Sequence, residues 1–240
     1  MPSSAKESNL IAEILLNGLY YHTEGSSAVK STLTGMIGRW PQDEIEVLTK
    51  IVQQKLECST KTVSLIFSLL QNDVGSKIIT QCIDSILDHF LNLLNHLLKQ
   101  YKVEKTALES ARIQTDIHLT TRTLLSIMKF NENRSKTESI LCAVISVLNL
   151  KEIPLDVQNN CSKILVLSCP SVDKIIETIL NGSTDDLLLA NLNDSDSSRL
   201  NLCLALLTTL NSDGLAEFQP HYGSIIGGVI LPTLPKLGKG

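Results

Sequence analysis

From Ser76 to Tyr101 the apolar residues fall at steps of three and four. Ile79, Ile83, Ile86, Phe90, Leu93 and Leu97 form the centre of a stripe, and Ile78, Cys82, Leu87, Leu91, Leu94 and Leu98 widen it on both sides. Only an α-helix gathers such positions on one side, because a strand would alternate every second residue. Asp84, Asp88 and Asn92 recur every four residues and form the polar outer stripe. An apolar face this broad packs against two neighbours, as the inner helices of solenoids do.

The same period continues in both directions. A first helix is expected over Asn9–Tyr21, with Leu10, Ile14 and Leu15 on one face, and a second over Ser27–Ile37. Pro41 opens a third, where its missing N–H costs nothing, and Asp43, Glu44 and Glu46 suit the positive end of the helix dipole. Its buried stripe is Ile45, Leu48, Val52 and Leu56. Thr60 is the expected cap of a helix over Val63–Leu70, and Asn72-Asp73-Val74-Gly75 is expected to break the chain before Ser76.

Glu104–Phe130 reads as a second long helix through Leu108, Ala111, Ile113, Ile117, Leu124, Ile127 and Met128, followed by a polar turn at Asn131–Arg134. Further helices are expected over Ser139–Leu148, Pro154–Leu167, Val172–Leu180, Asp185–Leu192 and Ser198–Leu210. His221–Leu234 is apolar but holds three glycines and Pro232, so any helix there frays, and Ile225–Leu231 is the nearest approach to a strand. With aromatics at 4% and one Trp, the composition also favours packed helices over sandwiches or barrels.

Helix pairs recur every 35–45 residues or so. The expected architecture is therefore all-α, a solenoid of irregular HEAT/armadillo-like helix pairs over 1–240 with an irregular tail at 211–240; a compact helical domain is the alternative. The tail from Gly223 onward is apolar and has no acidic group, which reads as an interrupted stack rather than a polar cap.

Charge divides the chain unevenly. Residues 99–136 carry eight basic groups against four acidic ones, while 1–98 carry seven against ten and 137–240 six against eleven. Lys99, Lys102, Lys105, Arg112, Arg122, Lys129, Arg134 and Lys136 thus form a candidate electrostatic contact for RNA backbone or an acidic partner. The plainer reading is a solvated helix face. The net charge of −4 argues against a strongly basic nucleic-acid module.

No catalytic constellation is legible. The chain has no Gly-rich phosphate loop, no HExxH, no nucleophile elbow and no Rossmann fingerprint. His89 and His96 share a side of the long helix but stand about 10 Å apart along its axis, too far for one metal. The six cysteines show no CxxC or other ligand spacing and read as reduced core thiols. The expectation is a non-enzyme with no cofactor, no metal and no small-molecule substrate. It has no apolar run of spanning length and no secretory leader, which with the reduced thiols points to a cytoplasmic or nuclear setting, the cytoplasmic being the one expected.

From Pro41 to Leu98 a charged amphipathic helix leads into Thr62–Leu70 (TVSLIFSLL) and then the long Ile78–Leu98 segment. There follow QTDIHLTTRTLLSIMKF at Gln114–Phe130, LCAVISVLNL at Leu141–Leu150, DVQNNCSKILVLSC at Asp156–Cys169, KIIETIL at Lys174–Leu180 and SSRLNLCLALLTTL at Ser197–Leu210. In this order the segments resemble the N-terminal helical-repeat region of the thyroid adenoma-associated protein (THADA) family, over roughly residues 40–210.

The resemblance implies an α-solenoid that serves as the non-catalytic partner of an FtsJ-type tRNA methyltransferase. That pair adds a 2′-O-methyl group in the anticodon loop, so tRNA would be met through the complex. Members of the family are several times longer, so the resemblance implies the front part of a longer solenoid. It transfers no functional residue to this chain. The alternative expectation is a HEAT/armadillo adaptor with protein partners only.

Overall fold

The computed structural model describes residues 5–21, 27–57, 59–103, 106–131, 136–148, 150 and 153–168, and the single positions Gly223, Ile226, Gly227 and Leu231. Among the described residues every regular element is a helix. The helices are α1 (Ala5–Tyr21), α2 (Ser27–Ile37), α3 (Ile45–Gln54), α4 (Thr60–Leu69), α5 (Asp73–Gln81), α6 (Ile83–Tyr101), α7 (Ala107–Met128), α8 (Thr137–Leu148) and α9 (Leu155–Ser168). A single 3-10 turn, Gln42–Glu44, follows Pro41 and leads into α3. The expected helices over Val172–Leu180, Asp185–Leu192 and Ser198–Leu210, the Ile225–Leu231 segment and the 211–240 tail lie outside the described residues, apart from those single positions.

The chain forms two compact units. The first comprises Met1–Leu97 with Arg122–Ser135, the second Leu98–Thr121 with Lys136–Gly240. In the first unit alternate helices pack on each other: α1 on α3, α3 on α5, and α2 on α4. α1 also meets α2 and α4, and α4 meets α5. Leu16, Leu19, Ile37, Leu48, Leu65, Ile66, Leu69, Ile78 and Ile79 are fully buried and make this core. In the second unit α8 packs on α9, burying Ile140, Val144, Ile145 and Val147 of the one and Val157, Cys161, Ile164 and Leu165 of the other.

Side-chain caps decide several boundaries. Ser59, not Thr60, caps α4: its hydroxyl accepts the Thr62 N–H, and Thr60 is the first helical residue. Thr106 and Glu109 form a reciprocal capping box. The Thr106 hydroxyl accepts the Glu109 N–H at 3.3 Å, and the Glu109 carboxylate accepts the Thr106 N–H at 2.9 Å. This starts α7 at Ala107, three residues later than the periodicity predicts.

The expected break at Asn72–Gly75 is instead a helix start. The Asn72 side chain accepts the Gly75 N–H at 2.8 Å, which sets Asp73, Val74 and Gly75 in the first turn of α5. The helix expected over Ser76–Tyr101 is two helices, parted at Cys82, whose backbone sits at φ −123°, ψ 26°. Cys82 N–H still reaches the carbonyls of Ile78 and Ile79, and Ile86 N–H takes the Cys82 carbonyl. The apolar spacing runs unbroken across the parting, so periodicity cannot reveal it; the packing of α5 against α3 and α4 does.

The broad stripe itself is borne out. Of its twelve positions Ile83 alone is not fully inside, and Asp84, Asp88 and Asn92 are exposed. Two other faces are corrected. In α1 Leu15 is buried with Ala12, Leu16, Leu19 and Tyr20, whereas Leu10 and Ile14 are each 59% exposed. In α7 burial begins at Ile113; Leu108 is 81% exposed and Ala111 is exposed too. Leu56 lies past the end of α3 and is half-buried.

Candidate interaction surfaces

The predicted basic segment does not gather on one unit. Lys99 lies in the last turn of α6 and Lys102 follows the helix; both are exposed, where cations favour the negative end of the helix dipole. With Arg112 and Lys136 they belong to the second unit, while Arg122 and Lys129 belong to the first. Lys105 and Arg134 lie outside the described residues.

Several of these cations have local roles. Arg112 stands one turn before Asp116 on α7. Burial pushes the Asp116 carboxyl above its usual range, and the Arg112 charge opposes that shift. The Arg122 guanidinium lies 5.1 Å from the centre of the Phe67 ring, a cation–π contact. Lys136 holds a left-handed backbone, φ 58°, at the entrance to α8, and its carbonyl accepts the Ile140 N–H at 3.0 Å.

The C-terminal end of α1 carries a denser constellation, which the sequence does not announce. Tyr20 and Tyr21 meet edge to face with ring centres 5.0 Å apart. Lys55 lies over both rings, at 5.4 and 5.9 Å, and Lys61 lies 5.4 Å from the Tyr21 ring. The Tyr20 hydroxyl donates to the Glu57 carboxylate at 2.9 Å, and the Lys55 ammonium donates to the Asn17 side chain. Tyr20 is buried and Tyr21 is 62% exposed, so the cluster is anchored on one ring and presents the other. The two hydrogen bonds join residues 37 and 38 apart in sequence, beyond the reach of any local pattern.

Each unit has a hollow lined by described residues. An open groove of about 550 Å³ runs between α2 and α4, walled by Lys30, Thr34, Gly35, Ser64, Phe67 and Ser68 among others. Some of its polar groups are spent on nearby backbone: Ser68 donates to the Ser64 carbonyl at 2.8 Å, and Gln71 to that of Phe67 at 3.1 Å. In the second unit a void of about 10 Å³ beside Tyr101, Ile117, Pro154 and Val157 has room for no more than one water.

Ligand chemistry is sparse. No group of three or more His, Cys, Asp or Glu among the described residues is arranged to hold a metal ion. His89 and His96 part company: His96 is exposed, whereas His89 is 7% exposed and its Nε2 has no hydrogen-bond partner. Burial lowers the His89 pKa to about 4, so the ring is neutral at physiological pH. Cys82 and Cys161 are buried free thiols, and burial raises both, Cys82 to about 12. No helix among the described residues is long and apolar enough to cross a membrane. Comparison of the chain with family models, with curated proteins and with solved structures finds no match.

Proposed function

We propose that this chain is a non-catalytic helical scaffold, a HEAT/armadillo-type stack that holds other macromolecules. The observation that supports this best is the packing of alternate helices in the first unit, α1 on α3 and α3 on α5 with α2 on α4. Stacked helix pairs produce this pattern because each pair buries its inner face only against the next. The resemblance to the THADA family narrows the partner to an FtsJ-type methyltransferase that 2′-O-methylates the tRNA anticodon loop in the cytoplasm. The test is affinity capture of such an enzyme by the tagged chain, with anticodon-loop methylation measured after its gene is deleted. Capture with loss of methylation supports the reading; a chain that captures no such enzyme overturns it.

A second reading, an adaptor with protein partners alone, is favoured by the local engagement of Arg112 and Arg122. It expects no tRNA binding at any salt concentration. Binding that weakens steeply as salt rises counts against it.

A further inference from the structure

We propose that the groove between α2 and α4 docks a short acidic segment of a partner protein, which lays a carboxylate on Lys30 and an apolar side chain on Phe67. The inference rests on the scaffold reading and gives the chemistry of one thing the scaffold holds. Glycine weakens the interior of a helix, so its presence there calls for a reason. Gly18 and Gly75 have one inside the chain: a β-carbon would lie 2.9 Å from Leu33 in the first case and 2.0 Å from the Leu69 carbonyl oxygen in the second. Gly35 has none. A β-carbon there meets nothing within 4 Å, and Gly35 lines the groove. The space left by its missing side chain serves something outside this chain.

The groove's side chains say what that is. A helical serine or threonine often returns its hydroxyl to the carbonyl one turn back. Thr32 and Ser68 do so, to Ala28 and Ser64. Ser31, Thr34 and Ser64 do not, and all three line the groove with hydroxyls that have no partner among the described residues. Lys30 lines it too, half-buried and without an ion pair there. Three hydroxyls and one ammonium thus share a space whose described lining holds no carboxylate. Such a wall takes an acceptor-rich, negatively charged group. Phe67, also half-buried, gives the same space an apolar surface.

The surrounding charges keep this preference. Lys30 is the one charged residue of α2, and Lys61 the one charged residue of α4. The Arg122 guanidinium lies 5.1 Å from the centre of the Phe67 ring. Arg39 and Asp73, next to Gly38 and Asn72, share the far end, and Asp43 and Glu44 belong to the 3-10 turn beyond Trp40. Glu57 accepts from the Tyr20 hydroxyl, and Glu24 lies outside the described residues. The far end is pinned shut: Asn72 Nδ2 donates to the Thr34 carbonyl at 3.3 Å, and a β-carbon on Gly38 would lie 3.4 Å from Asn72. Lys30 to Gly38 on one wall and Ser64 to Asn72 on the other give a length of roughly 12 Å, about four residues of extended chain. An open groove of about 550 Å³ between two helices suits a peptide laid along it.

Random peptides of about twelve residues, displayed on phage and panned against the whole chain, test this. Enriched peptides are expected to carry Asp or Glu within about four residues of an aromatic or aliphatic side chain. As synthetic peptides they should bind with a Kd on the order of 10 µM, read by fluorescence anisotropy. Gly35→Gln fills the groove at a position with room for a side chain, so it keeps or raises the melting temperature and weakens binding at least about tenfold. Lys30→Glu weakens it as well, and a peptide with its carboxylate exchanged for lysine recovers affinity for that variant. No enriched peptide, enrichment without a carboxylate, or equal binding to wild type and Gly35→Gln overturns the proposal. So does a groove that takes oligouridine or a second copy of the chain instead, read as binding or self-association lost in Gly35→Gln. Failure here leaves capture of a methyltransferase standing, because that assay reads the whole surface and this one the groove.

Discussion

A β-carbon placed on Gly75 would stand 2.0 Å from the carbonyl oxygen of Leu69 and 2.8 Å from its α-carbon. The first turn of α5 lies against the end of α4 with no space for a side chain, and the obstacle is backbone, which cannot rotate away. Gly75→Ala is expected to destabilise the protein by about 3 kcal/mol. Gly35 is the contrast: a β-carbon there meets nothing within 4 Å. Gly35→Ala is expected to stabilise by about 0.5–1 kcal/mol, because glycine inside a helix costs backbone entropy. Urea denaturation followed by circular dichroism separates the two, and a Gly75→Ala variant as stable as wild type refutes the close approach.

Asn72 performs two tasks with one amide. Its oxygen caps α5 through Gly75, and its Nδ2 donates to the Thr34 carbonyl near the end of α2 at 3.3 Å. Asn72→Ala loses both and is expected to cost about 1–2 kcal/mol. Asn72→Asp keeps the cap and loses the donor, so it should fall between Ala and wild type. If Asp and Ala prove equal, the link to Thr34 carries the effect rather than the cap.

His89 sets an acid limit on stability. Its pKa is about 4 in the folded chain and about 6.5 in an unfolded one, so between these values the unfolded state binds the extra proton. The stability tied to the neutral ring is complete above pH 6.5 and is lost as pH falls through 6.5 towards 4. Within that window the slope reaches up to about 1.4 kcal/mol per pH unit. His89→Leu removes the group and is expected to flatten this part of the profile. It should also be more stable at pH 7, where the unpartnered Nε2 no longer has to be buried. Midpoints of urea unfolding between pH 4 and 8 read both effects, and an unchanged slope in His89→Leu rejects the assignment.

Thiol reactivity should follow burial. Cys82 and Cys161 are inside and held as thiols, while Cys142 is half-buried. At pH 8 alkylation should label Cys142 at least about a hundredfold faster than either of the others, and denaturant should erase the difference. Peptide mass mapping distinguishes the sites. Labelling of Cys82 as fast as Cys142 would mean that α5 and α6 open readily at their junction.

Periodicity, read without coordinates, sufficed for the helical character of the described elements apart from the first turn of α5, for the bounds of α2 and for the buried and polar sides of α6. Apolar spacing starts α7 at Glu104 and passes over the T-x-x-E of Thr106 and Glu109, which sets its start at Ala107. These features depend on residues within one or two turns of each other, so a local pattern contains them.

Long-range packing decided the rest. A three-four spacing states which residues share a side, not which side finds a neighbour. Leu10 and Ile14 therefore face water while Leu16 and Leu19 are buried, and His89 is inside while His96, seven residues on, is outside. The parting at Cys82, the close approach of Gly75 to Leu69 and the meeting of Tyr20 and Tyr21 with Lys55 and Lys61 join residues from different helices. Their free energy belongs to contacts that exist only once the helices have packed.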